Sequence, residues 1–378
     1  MRLRLLVILM LSMAASGCIS ERRHELIAAN PAAPPPAGVM AKHDIFVATT
    51  RKKDADASVV FGRDRSEDLA FGRVGVTVPK NHQIGKIERA KDGMPGDPAK
   101  DFTAVDLTIY ESGKQFVTAV ANKGERVLVF VHGYNTGFDD GVYRLTQIAQ
   151  DTKYPGTPVL FSWASGAKTR DYVYDKDSST AARDDLEATL VMLSRSPRIK
   201  SIDIIAHSMG NWLAMETLRQ LAIAGNRDLS GKLGYVVLAS PDIDVDIFKK
   251  QMRRYGKPDR PFAVLLSSDD KALRLSSFIG GNQARVGDDA NADELAALGV
   301  TVVDLSSIQS GDKLNHAKFA DNPVLVQLLG DRLRMPESLV PTPQQANERV
   351  NDIAGGLGQA ASIIVTTPLR IITLGAVQ

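Results

Sequence analysis

The 378-residue sequence has little cysteine, little excess charge of either sign and no long hydrophobic run. Its single cysteine, Cys18, excludes intramolecular disulfides, so a hydrophobic core must hold the fold. The formal net charge is +2, and loss of a leader containing Arg2 and Arg4 would leave 44 basic against 44 acidic residues. A nucleic-acid partner would need a basic stripe. We therefore expect no nucleic-acid partner.

The apolar run near the N-terminus, Leu5–Leu11, is too short to be a typical bilayer-spanning helix. It follows a basic start and precedes the small residues Ala14–Gly17, a pattern that indicates an export signal over residues 1–17. Cys18 comes next, a placement that resembles the bacterial lipoprotein signal, in which this cysteine is acylated. The match departs from the common form at Ala15, where leucine is usual. The alternative is an ordinary secretory leader with an incidental cysteine.

The residues after Cys18 bear on where the chain is held. Residues 18–42 are rich in proline and alanine and predict a semi-rigid tether that holds a domain off the membrane. The residue after Cys18 is Ile19, whereas an aspartate there favours inner-membrane retention in enteric-type bacteria. We therefore expect a cell-envelope lipoprotein, held to the outer membrane by lipidated Cys18 and facing the periplasm.

The remaining chain changes its pattern twice. Residues 43–120 predict an antiparallel β opening, and from residue 124 strands alternate with helices. Such alternation predicts a mostly parallel, doubly wound sheet covered by helices on both faces. We assign one domain to residues 43–335, and a linker with an interrupted apolar tail to residues 336–378. The predicted strands cover 43–50, 72–79, 101–110, 126–131, 158–163, 200–206, 234–241, 261–266 and 300–305, and the predicted helices cover 139–151, 178–195 and 321–333.

The segment Ala206–Gly210 carries the strongest chemical signal. It follows the predicted strand 200–206 and precedes a helix-like stretch, which places Ser208 at the tip of a tight turn between them. Small residues two positions before and after the serine let the strand and the helix approach each other. This arrangement presents a serine hydroxyl at the edge of a sheet, where a base can reach it. We interpret Ser208 as a nucleophile.

A serine nucleophile needs a general base, and elimination among six histidines favours His316. It lies in a loop after the last predicted strand, where the chain order of serine, acid and histidine places the base. The other histidines lie in or beside the tether, in the β opening, or next to residues with other predicted roles. These are His24, His43, His82, His132 and His207.

The acid that orients His316 is expected after the preceding strand, 261–266. Asp270 is preferred because it begins a turn into a helix at the spacing usual for this acid. Asp269 is the alternative. Three further aspartates follow the predicted strand 234–241. They are either a second possible location for the acid or carboxylates that cap a helix. These are Asp242, Asp244 and Asp246.

The negative oxygen of a tetrahedral intermediate needs two backbone N–H donors. One is expected from Met209, directly after the nucleophile. The other is expected from Tyr134, in the loop that begins with His132 and Gly133 after a buried strand. His132 is then expected to brace this loop, and His207 to pack beside the sheet edge. The acyl-enzyme chemistry requires no metal or cofactor, and no H-E-x-x-H zinc spacing is present.

Six segments together resemble the α/β-hydrolase superfamily and, more narrowly, a bacterial family of uncharacterised serine-esterase-like proteins, many of them lipoproteins. The resemblance covers roughly residues 43–333 and implies the α/β-hydrolase fold and serine hydrolase chemistry without a named substrate. It also suggests that Trp163 and Tyr172 form an apolar substrate wall, with a core position as the alternative for Trp163. The segments are Phe46–Arg51, Val131–Asn135, Phe161–Gly166, Ala206–Gly210, Ser240–Asp244 and Ser268–Leu273.

The sequence therefore predicts an esterase with a small-molecule acyl ester as substrate. The short connection within 235–265 leaves no room for a large lid, which favours small or medium acyl groups. A thioesterase, amidase or acyltransferase would use the same three residues. A non-catalytic envelope lipoprotein is a third hypothesis, which the intact Ser208, Asp270 and His316 disfavour. The sequence does not predict an oligomeric state.

Overall fold

The computed structural model describes residues 25–26, 38–91, 94–288, 292–308, 312–335, 342–356 and 361–368. The predicted leader, Cys18 and most of the predicted tether lie outside these ranges, so the expectations about them stay predictions. The tether residues 25–26 and 38–42 are described, and Leu26 packs into the core of the domain with its N–H donating to Ser58 O at 2.8 Å. In the part of the chain that is described, no helix combines the length and the apolar character needed to cross a membrane.

Ten strands in the described ranges form one sheet in the order β10-β9-β8-β7-β6-β4-β5-β1-β2-β3. The pairs from β1 to β9 across the centre are parallel, whereas β1–β2, β2–β3 and β9–β10 are antiparallel. The predicted mostly parallel sheet with antiparallel N-terminal strands is confirmed. The strands are β1 (Val39–Lys53), β2 (Phe61–Pro79), β3 (Thr103–Tyr110), β4 (Arg126–Val131), β5 (Thr157–Ser162), β6 (Ser201–His207), β7 (Leu233–Ala239), β8 (Phe262–Leu266), β9 (Val300–Asp304) and β10 (Ile364–Thr366).

Helices cover both faces of the sheet, which explains why the central strands are apolar without alternation. In β4, Val127, Val129 and Val131 belong to the core on one face, and Leu128 and Phe130 to the core on the other. The helices are α1 (Gly113–Ala121), α2 (Phe138–Thr152), α3 (Tyr172–Ala181), α4 (Arg183–Arg195), α5 (Met209–Ile223), α6 (Val245–Tyr255), α7 (Lys271–Ile279), α8 (Ala292–Ala297), α9 (Lys318–Asp321), α10 (Pro323–Arg334) and α11 (Pro343–Gly356), with a 3₁₀ turn at Thr169–Asp171.

Several boundaries differ from the sequence prediction. β1 begins at Val39, inside the predicted tether, because Val39 already pairs with Pro79 of β2. The predicted helix over 178–195 is two helices, α3 and α4, which meet at the buried Ala182. The predicted β opening also contains α1, whose first turn is capped by the Ser112 side chain. Serine is a favoured N-cap residue because its oxygen accepts from a backbone N–H of the first helical turn.

The described part of the C-terminal segment packs onto the domain. α11 contributes Val350, Ile353 and Ala354 to a small core that also contains Leu305 and Val324. β10 then pairs antiparallel with β9 and extends the sheet by one strand. α11 and β10 therefore cover this edge of the sheet. The sequence predicted only a linker and an interrupted apolar tail for this segment.

The loop after β2 is fastened to α2 by His82. Its Nδ1 lies 2.8 Å from Glu88 Oε2 and its Nε2 lies 2.7 Å from Asp151 Oδ1. Both acceptors are carboxylates, so both ring nitrogens donate only when the imidazole is protonated. Burial alone would lower the pKa of His82, but the hydrogen bonds that the ring donates to Asp151 and Glu88 outweigh the effect of burial and raise that pKa.

Replacing His82 with glutamine should cost stability in a pH-dependent way. Because the folded-state pKa is raised, the contribution is fully present below about pH 6.5 and is lost as pH rises through the folded pKa. At pH 6 we expect a loss of about 1.5–3 kcal/mol, typical of hydrogen bonds to charged groups. Urea unfolding of both chains at pH 6 and pH 8.5 measures this, with His43→Gln as control because His43 contacts the neutral amide of Gln150. A difference that grows with pH would contradict the assignment.

The strand order places a crevice above β4 and β6. In the sheet, β5 lies on one side of β4 and β6 lies on the other side. The chain therefore reverses its direction across the sheet at this point. Ligands of open α/β sheets bind at the carboxyl ends of strands at such a switch point. The loops after β4, β6, β7, β8 and β9 all leave this edge, and they carry the predicted site residues.

Candidate active site

Ser208 lies in a strained turn between β6 and α5. Its backbone has φ 53° and ψ −125°, a conformation that L side chains rarely adopt. Such strain persists only where the surroundings hold it. Here the Ser208 N–H donates to Ala239 O at 3.0 Å, and the Asn211 side chain donates to Ser208 O at 3.0 Å. The geometry is that of a nucleophile elbow, with the serine at the sheet edge.

Small residues around the turn are required by close backbone contacts. A Cβ added at Gly210 would lie 2.3 Å from His132 O, so α5 packs directly on the end of β4. A Cβ added at Gly133 would lie 2.8 Å from the Cβ of Ser208. Ala206, which stands where glycine is usual, is fully buried and fits with its single methyl group.

His316 and Asp270 form a direct pair. His316 Nδ1 lies 2.7 Å from Asp270 Oδ2, and the Asp270 side chain is 0% exposed. The carboxylate accepts from Nδ1, so the neutral ring presents Nε2 as a free lone pair, the form that a general base requires. Asp270 also caps α7, because its other oxygen accepts from Leu273 N at 3.0 Å. The helix therefore fixes the carboxylate that orients the imidazole.

The alternative acid, Asp269, is engaged elsewhere. Its carboxylate accepts from Lys318 Nζ at 2.6 Å and from Asn315 Nδ2 at 2.9 Å. Burial would raise the pKa of Asp269, but the hydrogen bonds from Lys318 and Ser267 outweigh it and lower that pKa. The structure thus separates the two neighbouring aspartates: Asp270 contacts the His316 ring, and Asp269 holds the loop around it.

The His316 loop is fastened to residues directly beside Ser208. His207 Nε2 donates to His316 O at 3.1 Å, and Ser240 Oγ donates to the same oxygen at 3.1 Å. The His207 and His316 rings also pack with their centroids 4.7 Å apart. The residue preceding Ser208 therefore holds the backbone of the predicted base, although the two are more than a hundred positions apart in sequence.

His207 stays neutral beneath His316. Burial, and then the charge of His316 when it is protonated, lower the pKa of His207 well below its ordinary value. A neutral ring carries one N–H, and here it lies on Nε2, because the acceptor is a carbonyl oxygen. His207 thus serves as a fixed donor, in keeping with the predicted position at the sheet edge.

The two predicted oxyanion donors belong to segments that contact Ser208. Met209 is the first residue of α5, where backbone N–H groups have no acceptor within the helix and the helix dipole favours negative charge. Tyr134 follows Gly133, whose backbone passes against the Ser208 side chain. Both N–H groups therefore come from segments that adjoin Ser208.

Asp175 organises the loop that carries Tyr134, and the sequence interpretation did not assign it a role. Its buried carboxylate accepts from Asn135 N at 3.0 Å, from Ser165 Oγ at 2.6 Å and from Gly166 N at 2.6 Å. Burial raises the pKa of Asp175, because these donors and Arg51 offset only part of the cost of burying a charge. One side chain thus ties the loop after β4 to the loop after β5.

Arg51, also unassigned from sequence, is a second buried connection. Its guanidinium is 1% exposed and donates to Ser162 Oγ, Ser165 O and Thr136 O at 2.9, 3.0 and 2.7 Å. Burial lowers the pKa of Arg51 to about 10, so the group remains charged at neutral pH. Arg51 ends the family-like segment Phe46–Arg51, and Asp175 lies nine residues after the family-like segment Phe161–Gly166, in a stretch that also contains Tyr172. Lys318 lies in no such segment.

Trp163 lies in the core and not on an open wall. It is 0% exposed, its ring stacks on His132 with centroids 4.8 Å apart, and its Nε1 donates to His132 O at 2.8 Å. Burial, then the Arg51 charge, lower the pKa of His132 to about 3, so this ring is neutral. The two rings support the loop from below, which corrects the expected wall role of Trp163.

Tyr172 stands beside the site but uses its hydroxyl for structure. The hydroxyl lies 3.0 Å from Asp242 Oδ2 and 2.8 Å from Ser276 Oγ, and the ring meets Tyr134 edge-on at 5.4 Å. Asp242 in turn donates its backbone N–H to Ser208 O at 3.2 Å. Tyr172 therefore links the loop after β4 to α7, with its half-buried ring next to Tyr134.

The other aspartates considered for the acid have separate roles. Asp242 accepts hydrogen bonds from Tyr172 and Ser276 and lies 3.4 Å from Arg285 Nε. Asp244 caps α6 by accepting from Asp246 N and Ile247 N. The capping alternative is thus correct for Asp244. In the ranges that the structure describes, no three His, Cys, Asp or Glu side chains come close enough to hold a metal ion.

Comparison with known protein families supports the same α/β fold. The family described as "Alpha/beta hydrolase of unknown function (DUF900)" matches residues 73–332, more than half of the chain. No curated protein sequence matches the chain.

Three solved esterases are similar in outline. A Pyrobaculum calidifontis esterase is 13% identical, with 78% of this chain and 86% of that chain covered and a TM-score of 0.35. A fungal esterase from Rhizomucor miehei is 11% identical, with 78% and 85% covered and a TM-score of 0.36. An arylesterase is 12% identical, with 80% and 87% covered and a TM-score of 0.30. The family assignment follows from the match over residues 73–332 and from the sheet and turn described above. The chain belongs to the DUF900 family of alpha/beta hydrolases.

Proposed function

We propose that the protein is a serine hydrolase that cleaves carboxylic esters through an acyl-enzyme. In this proposal Ser208 is the nucleophile, His316 the general base and acid, and Asp270 the group that orients His316. Met209 and Tyr134 supply the oxyanion donors. The observation that carries the proposal is the contact at 2.7 Å between the buried Asp270 and His316, whose loop is fastened to the residue preceding a strained serine.

The chemistry follows from these positions. Ser208 Oγ attacks the ester carbonyl carbon while His316 Nε2 takes the hydroxyl proton, and negative charge develops on the carbonyl oxygen. The N–H groups of Met209 and Tyr134 stabilise that oxygen. Collapse expels the alcohol, which receives the proton from His316, and leaves Ser208 acylated. Water then attacks the acyl carbon by the same proton route and releases the carboxylic acid.

Hydrolysis of p-nitrophenyl esters of graded acyl length tests this proposal. We expect turnover by the folded wild-type chain, with a preference for short or medium acyl groups. An amide and a thioester of the preferred acyl group, and an added acceptor alcohol, separate esterase from amidase, thioesterase and acyltransferase activity. A folded chain that cleaves none of these compounds would support the non-catalytic alternative.

We further propose that the protein is an envelope lipoprotein, acylated at Cys18 and held to the outer membrane facing the periplasm. Two or more acyl chains anchor a protein far more firmly than one. Cys18→Ser should therefore move the protein from the membrane to the soluble fraction. Fractionation of cells, followed by a sucrose gradient for the wild type, measures this. Unchanged membrane association of the variant would reject the lipid anchor.

A further inference from the structure

Large apolar side chains are exposed around the sheet edge that carries Ser208. On α7, Leu275, Phe278 and Ile279 are 53%, 71% and 49% exposed. Val173 on α3 is 68% exposed, and Leu314, two residues before His316, is 50% exposed. We name these five residues the apolar rim. Exposed apolar residues scattered singly are normal, but three at helical spacing on one short helix are not.

The elements that carry the apolar rim are bonded to one another and adjoin the candidate site. α7 buries Leu273 and Ser276 toward the domain, so the face with Leu275, Phe278 and Ile279 points outward. The hydroxyl of Ser276 meets that of Tyr172, the residue preceding Val173. At the other end of α7, Lys271 N donates to Leu314 O at 2.9 Å.

The charge on the α7 part of the apolar rim is positive. Lys271 and Arg274 are exposed on α7, and residues 271–287 contain no aspartate or glutamate. The two side chains donate to the backbone carbonyls of Lys313 and Ser268, and neither forms an ion pair with a carboxylate in the described ranges. Both positive charges therefore remain available to an external anionic surface.

We propose that the apolar rim enters the headgroup region of a bilayer that contains anionic lipid. A helix with apolar residues on one side and lysine or arginine beside them binds such surfaces through apolar burial and attraction to anionic headgroups. Docking by the apolar rim would place the Ser208 edge against the lipid, and, resting on the proposed function, the ester substrate would come from the lipid phase.

The length of the N-terminal segment permits this orientation. Leu26, eight residues after Cys18, is fastened to the domain: it is 2% exposed, its N–H donates to Ser58 O at 2.8 Å, and its carbonyl oxygen accepts from the Tyr143 hydroxyl at 3.1 Å. Ser58 follows β1, which runs parallel to β5 and therefore ends at the carboxyl edge, where Ser208 lies. The connection from Cys18 to Leu26 reaches up to about 28 Å when extended. An anchored domain can therefore turn its carboxyl edge to the same membrane.

Tryptophan fluorescence of the full chain tests the docking surface directly. In Phe278→Trp we expect the emission to shift to the blue, and to be quenched by brominated acyl chains, when phosphatidylglycerol vesicles are added. The response should be weaker with phosphatidylcholine alone and should fall as salt rises. Ile223→Trp is the matched control, because Ile223 is 49% exposed at the far end of α5. No shift in Phe278→Trp, or an equal one in Ile223→Trp, would overturn the proposal.

Activity separates this proposal from the proposed function. In Leu275→Ser/Phe278→Ser, we expect hydrolysis of an ester dispersed in anionic vesicles to fall at least about tenfold, while a soluble short-chain ester is cleaved at the wild-type rate. Wild-type turnover of the soluble ester with no loss on vesicles would overturn the docking surface alone. Insertion without any ester hydrolysis would overturn the function alone. Self-association without lipid that the double variant abolishes would identify a second copy as the occupant and would also overturn the proposal.

Discussion

Ser208→Ala is expected to remove ester hydrolysis almost completely, with kcat at least about 10⁴-fold lower. The hydroxyl is the attacking group in the proposed chemistry, so no other side chain replaces it. The backbone should stay in place, because Asn211 and Ala239 hold the turn through main-chain atoms of residue 208. Thermal unfolding of the variant should therefore match the wild type. Activity within tenfold of the wild type would contradict Ser208 as the nucleophile.

Asp270→Asn is expected to lower kcat by about 10³–10⁴-fold with little change in KM. The carboxylate holds the tautomer of His316 and stabilises the imidazolium that forms during attack, and an amide does neither well. Asparagine is as good an N-cap as aspartate, so α7 should keep its start. Steady-state kinetics on the preferred p-nitrophenyl ester measure the effect.

Asp269→Asn is the matched control for that experiment. Asp269 pairs with the buried Lys318, so its loss should lower the unfolding temperature through an unpaired ammonium. Its effect on kcat should stay below about tenfold, measured well under that temperature, because Asp269 does not contact the His316 ring. If Asp269→Asn removed activity and Asp270→Asn did not, the assignment of the acid would be reversed.

Local pattern was enough to predict the part of the site that lies within single strand–loop connections. Ser208 follows a buried strand and precedes a helix, and Asp270 and His316 follow the next strands in the expected chain order. Each of these positions could be predicted from the hydrophobic period of the neighbouring residues and from the number of predicted strands that precede it. The predicted contact between Asp270 and His316 is present for that reason.

The surrounding network was not predictable in the same way. Arg51 meets Ser162 and Ser165 across more than a hundred residues, and Lys318 meets Asp269 across 49. A buried charge is acceptable only next to its partner, and spacing along the chain does not show which distant residues become partners. Trp163 shows a related limit: an aromatic residue after a buried strand fits a pocket wall and a core equally well, and tertiary packing decides.

The C-terminal segment illustrates the same limit for the fold. Its glycines and prolines indicated an interrupted tail, whereas α11 buries Val350 and Ile353 and β10 pairs with β9. A three-residue edge strand is too short to show a period in sequence, and its stability comes from the edge that it joins.

Covalent labelling with a fluorophosphonate tests whether Ser208 is an activated nucleophile. We expect a single adduct on the folded wild-type chain, located at Ser208 by peptide mass mapping, and no adduct on Ser208→Ala. A folded wild-type chain that takes up no label, or one whose label lies on another residue, would contradict this role.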